Sequence, residues 1–153
     1  MSSRLFQEIR ENRGLAYSVY SYLPTYTDAG LVVVYAGTSQ ESLQEVLNLV
    51  LKEFKSLKAE PFKNREVETS KEQLKGNLLL SLESSENMMT RLAKNEIYFN
   101  TYVPVETILQ EIEEVDEQKV RFLASELFNG NFCLTVLGPV DGNGIDKQLL
   151  KTG

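Results

Sequence analysis

Arg10 and Tyr17 lie seven positions apart in the run Arg10-Glu11-Asn12-Arg13-Gly14-Leu15-Ala16-Tyr17. A guanidinium carries a rigid fork of donors, and a phenol adds one more. Converging beside a strand, the two can hold a peptide carbonyl, or the oxyanion that the carbonyl becomes under attack. The elements on either side are suited to set them. Residues 3–13 have helical spacing, with Leu5, Phe6 and Ile9 on one face, and Gly14 is placed to end that helix in the left-handed conformation. Residues 15–24 alternate as a strand, with Leu15, Tyr17, Val19 and Ser21 on one face and Ala16, Ser18, Tyr20 and Tyr22 on the other. A blander role exists for each residue. Arg10 borders the apolar face four residues after Phe6, as a surface arginine would, and Tyr17 shares a strand face with Leu15 and Val19, as a core tyrosine would. Arg13 reads as a charge at the helix C-terminus.

An absence limits the chemistry further. The 153 residues contain no histidine, so the usual general base and the commonest zinc ligand are missing from this chain. The single cysteine, Cys133, sits in the apolar run 132–137 and reads as a buried structural thiol; it excludes a disulfide within one chain and fits a cytoplasmic compartment. Glutamates adjacent on a helix, such as Glu113 and Glu114, point apart and give no catalytic carboxylate pair. A net charge of −6 with scattered lysines and arginines argues against a nucleic-acid partner. No apolar run approaches the ~20 residues of a membrane helix, and no signal peptide is visible.

The rest of the chain supplies a scaffold. The segment 30–37 reads as a strand buried on nearly both faces, joined to the first by a turn at Thr27-Asp28-Ala29-Gly30 as an antiparallel hairpin. Its rings, Tyr17, Tyr20, Tyr22, Tyr26 and Tyr35, are suited either to packing on helices or to lining a peptide groove. Thr38-Ser39-Gln40-Glu41 has the form of a capping box that opens a helix reaching about Lys58, with Leu43, Val46, Leu47, Val50, Phe54 and Leu57 facing inward. After Pro61, helical spacing resumes near Asn64, with Val67, Leu74, Leu78 and Leu82 on one side. It breaks at Ser84-Ser85 and returns with Met88, Met89, Leu92, Ala93 and Ile97. Pro104 opens a helix to Val115, and Asp116 caps another with Val120, Leu123, Ala124 and Leu127 inward. The acidic stretch 106–117 reads as a solvated face, and 132–137 as the closing strand. The expected fold class is α+β: helices packed on one face of a small, mainly antiparallel sheet. Three strands are few for this many apolar helices, which predicts that the chain is a piece of something larger. The expected organisation is a domain over 1–140 followed by a tail over 141–153.

The opening run Met1-Ser-Ser-Arg-Leu-Phe-Gln-Glu-Ile-Arg-Glu-Asn-Arg-Gly-Leu-Ala-Tyr-Ser-Val resembles the second-domain signature of the pitrilysin/insulinase zinc peptidases. The likeness is to the branch of bacterial processing proteases and mitochondrial processing peptidase subunits. The hairpin, Ala36-Gly37-Thr38 before a long helix, Glu83-Ser-Ser-Glu-Asn-Met-Met near a break and the segment 132–139 extend it. In that family the first domain bears an inverted H-x-x-E-H zinc motif, and two halves close around a chamber in which peptides are cut. There zinc polarises the scissile carbonyl while the motif's glutamate serves as base.

The resemblance implies that the domain is truncated at its N-terminus, that Arg10 anchors a substrate carbonyl and that Tyr17 donates to the oxyanion; Tyr20, one of the hairpin's rings, is the further candidate for substrate binding. It implies zinc in the full-length enzyme and no cofactor in this chain. The implied partners are a zinc-bearing N-terminal domain or subunit, a peptide substrate and a second copy of this chain. Without the zinc motif the chain is expected to be inactive alone. A non-catalytic peptide-binding or assembly subunit of the same fold is the alternative.

Overall fold

A computed structural model describes residues 3–63, 65–130, 132–140 and 145–151. The chain divides into two compact units, one made of 1–60 and 121–153 and the other of 61–120.

The first unit is built on a helix, a hairpin and a second helix. The N-terminal helix widens into a π-helical segment, Phe6–Glu11, in which the Asn12 N–H donates to the Gln7 carbonyl at 2.9 Å. Gly14 ends it at φ +63°, where its N–H donates to the Arg10 carbonyl at 3.0 Å, as expected for a left-handed cap. The chain then enters β1 (Ala16–Tyr22), which pairs antiparallel with β2 (Val33–Thr38) in a two-stranded sheet. The turn between them is closed by a Tyr26 N–H to Ala29 carbonyl bond of 2.8 Å. β2 is half-buried, with Val34 and Ala36 packed on the core and Tyr35 exposed, rather than buried on both faces as its composition predicts. Helix α1 (Leu43–Ala59) follows and buries Val46, Leu47, Leu49, Val50 and Leu51. Ile9, Ala16, Val19, Val46, Leu49 and Val50 form the core, so the N-terminal helix and α1 cover the same face of the hairpin.

The capping box is divided differently from its sequence form. The Thr38 hydroxyl donates to the Leu15 carbonyl and closes the end of the hairpin. Ser39 accepts from the Ser42 N–H at 3.3 Å and so starts the turn that leads into α1. At the other end of α1, Ser56 accepts from Arg4 at 3.0 Å and donates to Glu60 at 2.9 Å, tying the N-terminal helix to its neighbour.

Three expectations for the end of this unit are corrected. Residues 132–137 form no strand; the Phe132 N–H donates to the Leu150 carbonyl at 2.9 Å, and the Phe132 ring joins Phe54 and Phe128. A β-prone run becomes a strand only when a paired edge is offered, and here aromatic packing holds the segment instead. Cys133 is therefore exposed, not buried. On α5 (Glu117–Leu127) the buried stripe is Ala124 with Phe128, stacked on Phe54 at 4.2 Å, while Leu123 and Leu127 face out.

The second unit contains α2 (Glu66–Ser81), α3 (Ser85–Phe99) and α4 (Val105–Glu113). The interruption at Ser84-Ser85 is a helix boundary, at which Ser84 accepts from the Asn87 N–H at 3.3 Å. Asp116 likewise accepts from the Lys119 N–H at 2.8 Å before α5. The acidic residues of 106–117 are exposed, as a solvated face predicts, and one of them also makes ion pairs. Glu113 pairs with Lys71 at 3.5 Å and Lys75 at 2.9 Å, linking α4 to α2. Leu74, Met89, Leu92 and Ile97, apolar residues that the helical spacing groups on α2 and α3, are exposed. Among the described residues no helix is long and apolar enough to cross a membrane.

Candidate functional site at the helix-to-hairpin corner

The π-helical segment and β1 bring Arg10 and Tyr17 together. The Arg10 guanidinium carbon lies 5.2 Å from the Phe6 ring centroid and 5.6 Å from that of Tyr17, a cation held between two aromatic faces. No ion pair to Arg10 is present among the described residues, and the residue is exposed. Arg13, by contrast, is committed to structure. Its guanidinium sits 3.6 Å from Glu8 and 3.5 Å from Glu45, which ties the corner to α1.

Tyr17 does not share a face with Val19, as strict alternation predicts. Ala16 opposes Thr38 and Ser18 opposes Gly37, so Tyr17 is an extra residue with no partner on β2. This bulge lets Ala16 and Val19 both enter the core, three positions apart, and leaves Tyr17 86% exposed. Tyr20 is 52% exposed on the outer face of the hairpin. Its ring stacks on its cross-strand partner Tyr35 at 5.0 Å and lies 6.0 Å from Tyr22. Tyr20 thus reaches the corner through Tyr35 and not directly.

Three further residues join the site: Tyr35, one of the rings suited to lining a peptide groove, and Ser18 and Gly37, to which the sequence assigns no such role. Ser18, Tyr35 and Gly37 line an open depression of about 490 Å³ together with Gly14, Leu15 and Tyr17. A Cβ at Gly37 would lie 3.4 Å from the Ser18 hydroxyl oxygen and 3.7 Å from that of Tyr35, so the missing side chain opens this space. A glycine in mid-strand was the available signal, since it marks a bulge or a close approach. Near the rim, Glu41 is held below the ordinary carboxylate range by a hydrogen bond from its own backbone N–H and by the Ser39 hydroxyl. Tyr17, Tyr20 and Tyr35 therefore present phenols, and Arg10 a fixed cation, to one exposed surface. Such a surface is suited to binding an extended peptide and to stabilising negative charge on oxygen.

A family profile described as "Peptidase M16 inactive domain" matches residues 1–74. An uncharacterized zinc protease of Bacillus subtilis is 41% identical over 139 residues, covering 91% of this chain and 34% of the relative. Residues 1–74 belong to the peptidase M16 family. A second relative, an uncharacterized zinc protease of Mycobacterium leprae, is 40% identical over 91% of this chain and 31% of its own length. This chain thus spans about a third of the curated relatives it matches. Among solved structures, the peptidase M16 inactive domain from Pseudomonas fluorescens superposes with a TM-score of 0.70 at 26% identity. It covers 82% of this chain and 30% of that one. A chain of Complex III2 from Candida albicans, with Inz-5 bound, shares the fold at a TM-score of 0.72 and 19% identity, with coverages of 82% and 30%.

The M16 inactive domain is thus the α+β unit described above. The zinc that its relatives' names carry finds no fit here: the sequence has no histidine, and no group of three His, Cys, Asp or Glu side chains is gathered among the described residues.

Proposed function

We propose that this chain is the substrate-clamping domain of a zinc metalloendopeptidase, with 1–140 as the domain and 141–153 as its tail. The carrying observation is the bulge that projects Tyr17 beside an Arg10 free of ion pairs among the described residues. Arg10 holds a substrate carbonyl through its fork of donors. Tyr17 donates its hydroxyl to the oxyanion that forms when the scissile carbonyl is attacked, and Tyr20, stacked on Tyr35, extends the contact along the peptide. The metal is supplied by another domain or subunit, and the two halves close around the peptide. A lone cysteine supports a cytoplasmic compartment.

The deciding experiment is peptidase activity against a long unfolded peptide. The chain is assayed alone and then mixed with a separately expressed zinc-bearing half. Cleavage only in the mixture, lost with Arg10→Ala, is the expected result. Tyr17→Phe is expected to lower turnover about 10- to 1000-fold, as removal of an oxyanion donor does, with a smaller effect on KM. Binding without cleavage in every combination would instead make this an assembly or peptide-binding subunit.

A further inference from the structure

Residues 132–137 have the composition of a strand but no strand to pair with. Phe132 is anchored through its N–H, which donates to the Leu150 carbonyl at 2.9 Å, and through its ring, 5.4 Å from that of Phe54. Beyond it, 133–137 make no hydrogen bond among the described residues, and Cys133, Thr135, Val136 and Leu137 are exposed. A β-prone run with unpaired backbone groups is a template for another strand, which natural edges discourage with lysine, proline or an inward charge. No residue of 132–138 is charged or a proline.

The exposed surface of the chain agrees with a missing partner. It amounts to 11287 Å² at 17.4 kDa. A compact monomer of that mass exposes about 7,900 Å², and two separate globules of half the mass about 9,500 Å² together. Whatever the placement of its two units, the chain thus carries roughly 1,800 Å² more open surface than self-contained units would. A specific dimer needs about 800 Å² from each partner.

We propose that 132–137 pairs antiparallel with the same segment of a second copy of this chain, Thr135 of one copy opposite Thr135 of the other on the two-fold axis. A run without charge meets its own copy with no like charges face to face. This register sets Leu134 against Val136 of the second copy, and Cys133 against Leu137. Apolar side chains then oppose apolar ones on both faces, and the two threonines form a favourable cross-strand pair. A slip of one residue would put the half-buried Phe132 and Leu134 on the opposite face from their counterparts. Both copies use the same edge, so the contact closes at a dimer.

The test is a charge swap at Thr135, whose exposure lets a new side chain enter without disturbing the fold of the single chain. Sedimentation of the unaltered chain at micromolar concentration is expected to show a dimer. Thr135→Lys sets two lysines opposite each other and should raise the dimer dissociation constant at least tenfold; Thr135→Glu should do the same. Mixing the two variants should restore association, because lysine now faces glutamate across the axis. Circular dichroism of both variants should match that of the unaltered chain. A single monomer boundary for the unaltered chain overturns the proposal. Association that survives Thr135→Lys unchanged also overturns it, since the contact then lies on another surface. A mixture of the two variants that stays monomeric excludes the register and overturns it as well.

Discussion

At the residue scale, the corner works because two local departures from regular geometry coincide. The helix widens at Phe6–Glu11 before it ends, and the strand bulges at Tyr17 just after it begins. Both are irregularities that recur next to functional sites. Gly14 joins them at φ +63°, a conformation that a side chain resists although no atom stands within 4 Å of where its Cβ would lie. Gly14→Ala is therefore expected to cost about 1–2 kcal/mol from the backbone alone, measured as a lower urea midpoint. Tyr17→Phe should leave stability within about 0.5 kcal/mol, because the ring is mostly exposed. Denaturation beside the turnover assay separates a chemical loss from an unfolding one. The types and spacing of Arg10 and Tyr17 were legible in the sequence. The exposure of Tyr17 was not, since strict alternation puts it with Val19, and only the pairing of Ala16 with Thr38 and Ser18 with Gly37 reveals the extra residue.

At the scale of elements, capping residues were the most readable signals. Gly14, Ser84 and Asp116 each stop or start a helix where their chemistry predicts, because a cap acts through bonds within a few residues. Ser84→Ala should cost about 1 kcal/mol, seen in the thermal unfolding of the chain, with Ser84→Gly costing less. The core stripe of α1 was equally legible from its 3.6-residue spacing. The closing strand was not. Phe132 has both β propensity and an aromatic ring, and the neighbours Phe54 and Phe128 decide which of the two is used.

At the scale of the whole molecule, charge and exposed surface set the behaviour in solution. Glu113 is held below its ordinary range chiefly by a hydrogen bond from Lys75, with the charge of Lys71 adding to it. Lys75 is in turn pushed up to about 12 by Glu72 and Glu113. A carboxylate whose pKa is lower folded than unfolded stabilises the fold at neutral pH, and that stability is lost as pH falls through the folded value. Stability should thus decline below the ordinary glutamate value of about 4.3, and Glu113→Gln should flatten that decline; melting at pH 6 and at pH 3.5 in both proteins checks it. Each unit also exposes large apolar side chains: Tyr17, Tyr26 and Leu31 in the first, and Leu80, Ile97 and Phe99 in the second. Such surface favours association, so the chain is expected to sediment as a dimer or larger species at micromolar concentration. A single monomer boundary would count against a homo-oligomer.

The sequence by itself determined the residue types at the corner, the helix boundaries and the α+β class, because each depends on neighbours within a turn or two of the chain. It also excluded histidine ligation of zinc by this chain, which composition alone decides. Tertiary structure decided three things: that Tyr17 leaves the core, that Gly37 opens a depression beside it, and that 132–137 packs by its rings instead of pairing as a strand. Each of these depends on a partner 19 or more positions away, across the hairpin or against α1. Periodicity carries no information about register or partner at that distance; only the folded pairing of β1 with β2 and the packing of α1 against Phe128 and Phe132 supply it.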